Sequence, residues 1–154
     1  MFESTLATTQ DAHLILKLYE LRTEETMRKA RAWMHTEFFP ESLDEVVELM
    51  KALGTEHNAW ARQVTSYWDM AAAFVTHGAL NGELFLDCAS EPFFIYAKFE
   101  PYLAEIRTFR PGFLEKIEQL VEAYPQARAS VERLKAILPQ RRAQAQALRA
   151  SRGQ

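Results

Sequence analysis

Apolar and polar positions along this 154-residue chain recur with helical spacing almost from end to end. No window shows strand-like alternation flanked by hairpin turns. The apolar signal peaks in Tyr67–Leu80, YWDMAAAFVTHGAL, where the six residues from Met70 to Val75 carry no polar side chain. A helix apolar nearly all round is normally enclosed by other helices or by lipid. This run is too short to cross a bilayer, which takes about 20 apolar residues. The pattern predicts an all-α fold, a compact irregular bundle of roughly six to eight helices around a central apolar helix at about 56–77.

Caps and breakers divide the rest. An apolar face of Leu14, Ile15, Leu18 and Tyr19 opens a tract from about Thr9 to Phe39. Thr23-Glu24-Glu25 within it reads as a fresh N-terminus, a hydroxyl cap followed by two carboxylates, so the tract is two helices or one kinked helix. Pro40 ends it. Ser42-Leu43-Asp44-Glu45 has the form of a capping box, and Gly54 stops the short helix that follows. Thr55 is placed to cap the central helix and Gly78 to end it. Asn81 and Ser90-Glu91-Pro92 mark further starts, with proline tolerated in a first turn. Pro101 splits or kinks the next helix, Arg110-Pro111-Gly112 breaks the chain, and Phe113 to Ala123 is amphipathic. Pro125 opens the last helix and Pro139 is expected to close it. These signals give one domain over 1–138 and a basic tail over 139–154.

Composition supports that size of core. Apolar residues make up 48% of the chain, with ten Phe and three Trp, and a domain of this length needs no covalent staple. One cysteine, Cys88, excludes an internal disulfide framework and a cysteine-rich zinc site. MFESTLATTQD lacks a basic and then apolar leader pattern, so the expected location is cytoplasmic. The net charge of −3 conceals an acidic body, −9 over residues 1–132, and a basic end, +6 over 133–154. An acidic body argues against a broad nucleic-acid face and leaves the basic end as a contact arm.

Candidate chemistry is thin. Asp69, beside Trp68 and ahead of the apolar run, is either a partly buried carboxylate with a raised pKa or the edge of a polar stripe paired with a basic residue. His77 at a helix C-terminus is explained by capping; a chemical role would draw on Asn81, Glu83 or Asp87. Glu83 and Asp87 face the same way on a helix, but no histidine has a Glu or His three or four residues away, so no metal site is expected. Cys88 in FLDCAS reads as an inert, buried thiol. Five scattered glycines build neither a phosphate loop nor a nucleophile elbow. Arg28-Lys29-Ala30-Arg31 before Trp33 and His35 is either an anion-pairing run with a stacking indole or a solvated face with the Trp turned inward.

LYELRTEETMRKARAW (Leu18–Trp33), SYWDMAAAFVTHGALNGELFLD (Ser66–Asp87) and, more faintly, EPFFIYAKFEPYLAEIR (Glu91–Arg107) resemble DUF4760, an uncharacterised bacterial all-helical family. The resemblance covers most of residues 14–122 and implies a self-contained helical domain. It brings no activity, cofactor or catalytic residue with it.

Three functions remain. The leading one is a non-enzymatic, self-associating interaction module, a homodimer with a possible further protein partner, whose contact patch is Phe93, Phe94, Tyr96 and Phe99. The second is a small-molecule binder or enzyme with an inter-helix pocket lined by Tyr67, Asp69, His77 and Arg107. The third is a nucleic-acid accessory protein acting through its tail, which the acidic body makes the least favoured. No cofactor, metal or membrane partner is expected.

Overall fold

A computed structural model describes residues 6–153 of the protein. The first five residues, part of the stretch without a leader pattern, lie outside the described residues. Among those described, every regular element is helical: α1 (Thr9–Leu21), α2 (Glu25–Thr36), α3 (Leu43–Lys51), α4 (Glu56–Thr76), α5 (Gly82–Cys88), α6 (Glu91–Phe99), α7 (Leu103–Phe109), α8 (Glu115–Ala123) and α9 (Pro125–Arg152), with a 3₁₀ turn at Glu100–Tyr102 where Pro101 splits α6 from α7. The fold is an all-α bundle.

Local chemistry sets most boundaries. The first tract is two helices. Thr23 does not cap the second, because its hydroxyl donates back to the Glu20 carbonyl at 2.7 Å. Glu24 takes the cap instead, its carboxylate accepting from the Met27 amide at 3.0 Å. Ser42 accepts from the Glu45 amide at 3.3 Å, but Glu45 reaches back to the Glu41 amide at 2.9 Å, one residue beyond a standard capping box. Thr55 caps α4 through the Asn58 amide. Gly78 ends the turn after α4 at φ +76°, a conformation glycine adopts without penalty.

The central position of α4 is as expected: it packs on α2, α3, α5, α6 and α8. Its apolar run is less enclosed than its composition implies, and Met70 is 41% exposed. The fully enclosed helix is α6, where all nine residues from Glu91 to Phe99 are buried between α4, α8 and α9. This corrects the aromatic patch. Phe93, Phe94, Tyr96 and Phe99 are core residues, none more than 7% exposed. A helix surrounded on all sides needs apolar residues all round, and that pattern imitates spare surface.

Pro139 does not end the last helix; α9 runs through it to Arg152. An interior proline loses a backbone hydrogen bond and costs about 3 kcal/mol. Beyond it the helix is held by contacts with the rest of the bundle. Ala145 is buried. Arg142 Nη2 donates to the Pro40 carbonyl at 3.1 Å and its Nε lies 3.4 Å from the Glu41 carboxylate. Arg149 donates to the Glu37 carbonyl, and Arg152 pairs with the Glu37 side chain at 3.5 Å. The basic end of the chain thus lies along the acidic α2–α3 connection.

Candidate functional site: an arginine-rich cavity over Glu91

Enclosing α6 on all sides puts two charged side chains in the interior, Glu91 in its first turn and Lys98 in its last. Buried charges are tolerated only when paired and hydrogen-bonded, and α2 supplies the partners for both. Arg31 and His35, one turn apart on α2, meet Glu91. Arg31 Nε lies 3.0 Å from each carboxylate oxygen and Nη2 2.9 Å from Oε1. His35 Nε2 donates to Oε1 at 2.5 Å, and the Trp68 indole N–H of α4 donates to Oε2. Burial alone would raise the Glu91 pKa. Hydrogen bonds from His35 and Arg31, with the His35 charge and the Trp68 donor, outweigh it and hold the group down at about 2. Two turns along, Lys98 donates to the carbonyls of Met34 and Phe38, satisfying the C-terminal end of α2. Its ammonium also lies over the rings of Phe39 and Phe94, at 4.1 and 4.4 Å. Burial, then the charge of Arg141, push its pKa down to about 7.

A cavity of about 360 Å³ opens above Glu91. Arg22, Arg31, His35 and Arg141 supply its charged wall, Phe94, Leu134 and Ile137 its apolar wall, and Cys88, expected to be buried, stands exposed at the side. Arg22 lies over the Tyr19 and Trp68 rings at 4.7 and 5.5 Å. Neither Arg22 nor Arg141 has a carboxylate partner among the described residues. Three guanidiniums and an imidazole therefore surround one carboxylate whose oxygens are already bonded.

The four residues expected to share a pocket are engaged in separate contacts. The Tyr67 hydroxyl donates to the Leu18 carbonyl of α1, and burial pushes its pKa up to about 12. Asp69 turns to α8, where Oδ1 accepts from the amides of Lys116 and Ile117 at 3.1 and 3.0 Å. Burial raises its pKa, against the pull of those two amides. His77 is exposed at the far end of α4, about 15 Å along the helix from Tyr67. Arg107 donates to the Phe113 carbonyl at 3.0 Å and to the Glu118 carboxylate at 3.1 Å. Asp69 and His77 line different cavities, one beside the α7–α8 loop and one between α1 and α5. Among the described residues no three of His, Cys, Asp and Glu gather as metal ligands, and no helix is long and apolar enough to cross a membrane.

Residues 7–124 match a domain of unknown function. The chain belongs to the DUF4760 family. That span contains Arg22, Arg31, His35, Trp68 and Glu91, so the floor of the cavity is part of the DUF4760 domain, whereas Arg141 comes from α9 beyond it. No curated protein and no solved structure matches the chain.

Sequence reasoning reached this DUF4760 site only in fragments. Arg31 lies in the basic run before Trp33 and His35; Trp33 turns inward and Arg28 and Lys29 face solvent, as the solvated-face reading has it, while Arg31 turns to the protein's own Glu91. Glu91 read only as a helix start. The one available signal was a glutamate opening a segment, EPFFIYAKF, that otherwise held a single charge, Lys98.

Proposed function

We propose that this domain binds a small anionic ligand in the cavity over Glu91, and that it binds rather than transforms it. The supporting observation is the imbalance of charge: Arg22, Arg31 and Arg141 face a space whose one carboxylate, Glu91, is already saturated with donors. Guanidinium forks match carboxylate and phosphate oxygens two by two, while Phe94, Leu134 and Ile137 suit an apolar body. The volume is at the small end of ligand pockets. Glu91, held ionised by four N–H groups, is poorly placed to exchange a proton, which weighs against acid–base catalysis.

Isothermal titration with phosphate, citrate and short-chain carboxylates tests the reading. Saturable binding of at least one, weakened about tenfold or more in Arg22→Gln and Arg141→Gln, is the expected result. Binding unchanged in both variants, or none across the panel, would overturn it. Native mass spectrometry of the same sample reads retained ligand and assembly together. The self-association reading needs a surface other than α6, since its four aromatic residues lie in the core.

A further inference from the structure

The crevice between the first half of α4 and the α7–α8 loop holds two cations that nothing in the fold neutralises. Arg110 follows α7 directly, and the chain then turns through Gly112 at φ +81° and Leu114 at φ +54°. A leucine in the left-handed region is rare and persists only where its surroundings fix it, a condition found at ligand clamps among other places. Here the burial of its own side chain, 2% exposed, fixes it. The turn brings Arg110 toward Arg62 of α4, and the two repel: burial, then the Arg62 charge, lower the Arg110 pKa from its usual value. Neither guanidinium has an ion pair or hydrogen bond among the described residues. By contrast, neighbouring Arg107 has Glu118 and Arg142 has Glu41.

The crevice has a volume of about 630 Å³, and Arg62, Gln63, Thr65, Ser66, Asp69 and Arg110 supply its polar side chains. Asp69 is the carboxylate on the wall, and its Oδ1 is occupied by the amides of Lys116 and Ile117. Glu115 stands just outside, near Gly112. The Ser66 hydroxyl donates to the Gln63 backbone carbonyl at 3.3 Å, and the Gln63 side-chain amide makes no hydrogen bond among the described residues. Two guanidiniums brought together without a counter-ion raise the energy of the empty site. A doubly charged tetrahedral oxyanion between them would replace that repulsion with two sets of charge-assisted hydrogen bonds.

We propose that this crevice is a second binding site, specific for a phosphate group, with Arg62 and Arg110 as its two forks and Gln63 as a neutral donor. It shares no lining residue with the cavity over Glu91 and stands or falls independently of it.

Inorganic phosphate is the probe. The full chain is titrated at constant ionic strength, chloride replacing phosphate, while arginine Nε–Hε signals are followed by NMR. Saturable shifts of Arg62 and Arg110 are expected. Affinity should fall about tenfold or more in Arg62→Gln and in Arg110→Gln, and stay unchanged in Arg141→Gln. Both side chains reach solvent, and unaltered thermal melting of the variants would confirm their folding. Shifts that do not saturate, or that chloride reproduces, would overturn the proposal. So would equal affinity in the double variant; phosphate lost in Arg141→Gln but kept in the double variant would place the ion over Glu91 instead.

Discussion

The Glu91 carboxylate joins α6 to α2 and α4 at once. Replacing it by glutamine preserves shape but leaves the Arg31 guanidinium half-buried without a counter-charge. Breaking a buried pair in this way costs about 3–5 kcal/mol, so Glu91→Gln should lower the urea midpoint sharply at neutral pH. The pH dependence follows from linkage. The group titrates near 2 when folded against an ordinary value of 4.5, so the unfolded chain takes up its proton first as pH falls. The stability it supplies, roughly 3 kcal/mol, is complete above pH 4.5 and is lost as pH drops toward 2. The gap between wild type and Glu91→Gln should therefore narrow by about 2 kcal/mol between pH 6 and pH 3. Parallel urea curves at the two pH values check this, and a gap that does not change with pH would show that the side chain acts through packing alone.

At the scale of elements, α8 shows what the sequence could and could not disclose. Its N-cap residue, Leu114, is left-handed and offers no side-chain acceptor. The missing acceptor comes from α4: Asp69, 47 residues before Lys116, takes the amides of Lys116 and Ile117. Asp69→Ala should cost about 1–2 kcal/mol, the range for a lost cap, whereas Asp69→Asn keeps a carbonyl acceptor and should cost less. Chemical denaturation of the two variants separates that role from a ligand carboxylate, which would be equally disabled by both. Caps that act within three residues, at Ser42, Thr55 and Asn81, are legible in sequence because donor and acceptor share one turn. The limits of α4 were legible for the same reason. The Glu91 cluster was not, because its partners stand 60, 56 and 23 residues away and only the bundle brings them together. Pro139 misled in the opposite direction: a strong local signal was overridden by contacts made over a hundred residues away in sequence, at Pro40 and Glu37.

Across the whole molecule, the two halves of α9 do different work although one continuous helix contains both. The first half supplies core, with Ala127 and Val131 fully buried and Leu134 and Leu138 packed against them. The second half contributes little apolar burial beyond Ala145; its ion pair with Glu37 is largely solvated and its pair with Glu41 partly so. Solvated pairs of this kind are worth about 0–1 kcal/mol each and weaken with salt. A chain ending at Leu138 should therefore fold cooperatively, about 1–2 kcal/mol less stable than the full chain, with the difference shrinking as salt rises. A chain ending at Tyr124 keeps the whole span matched to DUF4760 yet exposes the faces of α6 and α8 that α9 covers. Removing several buried aliphatic side chains at roughly 2–5 kcal/mol each exceeds the stability of most domains of this size, so this shorter chain should not fold. Urea unfolding of the two truncations, at low and at raised salt, decides the matter. A Tyr124 chain with a normal cooperative transition would mean that the matched span completes its own core and that α9 is an addition to it. Loss of folding in the Leu138 chain would instead mean that the arginine contacts beyond Pro139 hold the α2–α3 connection in place, making the basic end of the chain part of the domain.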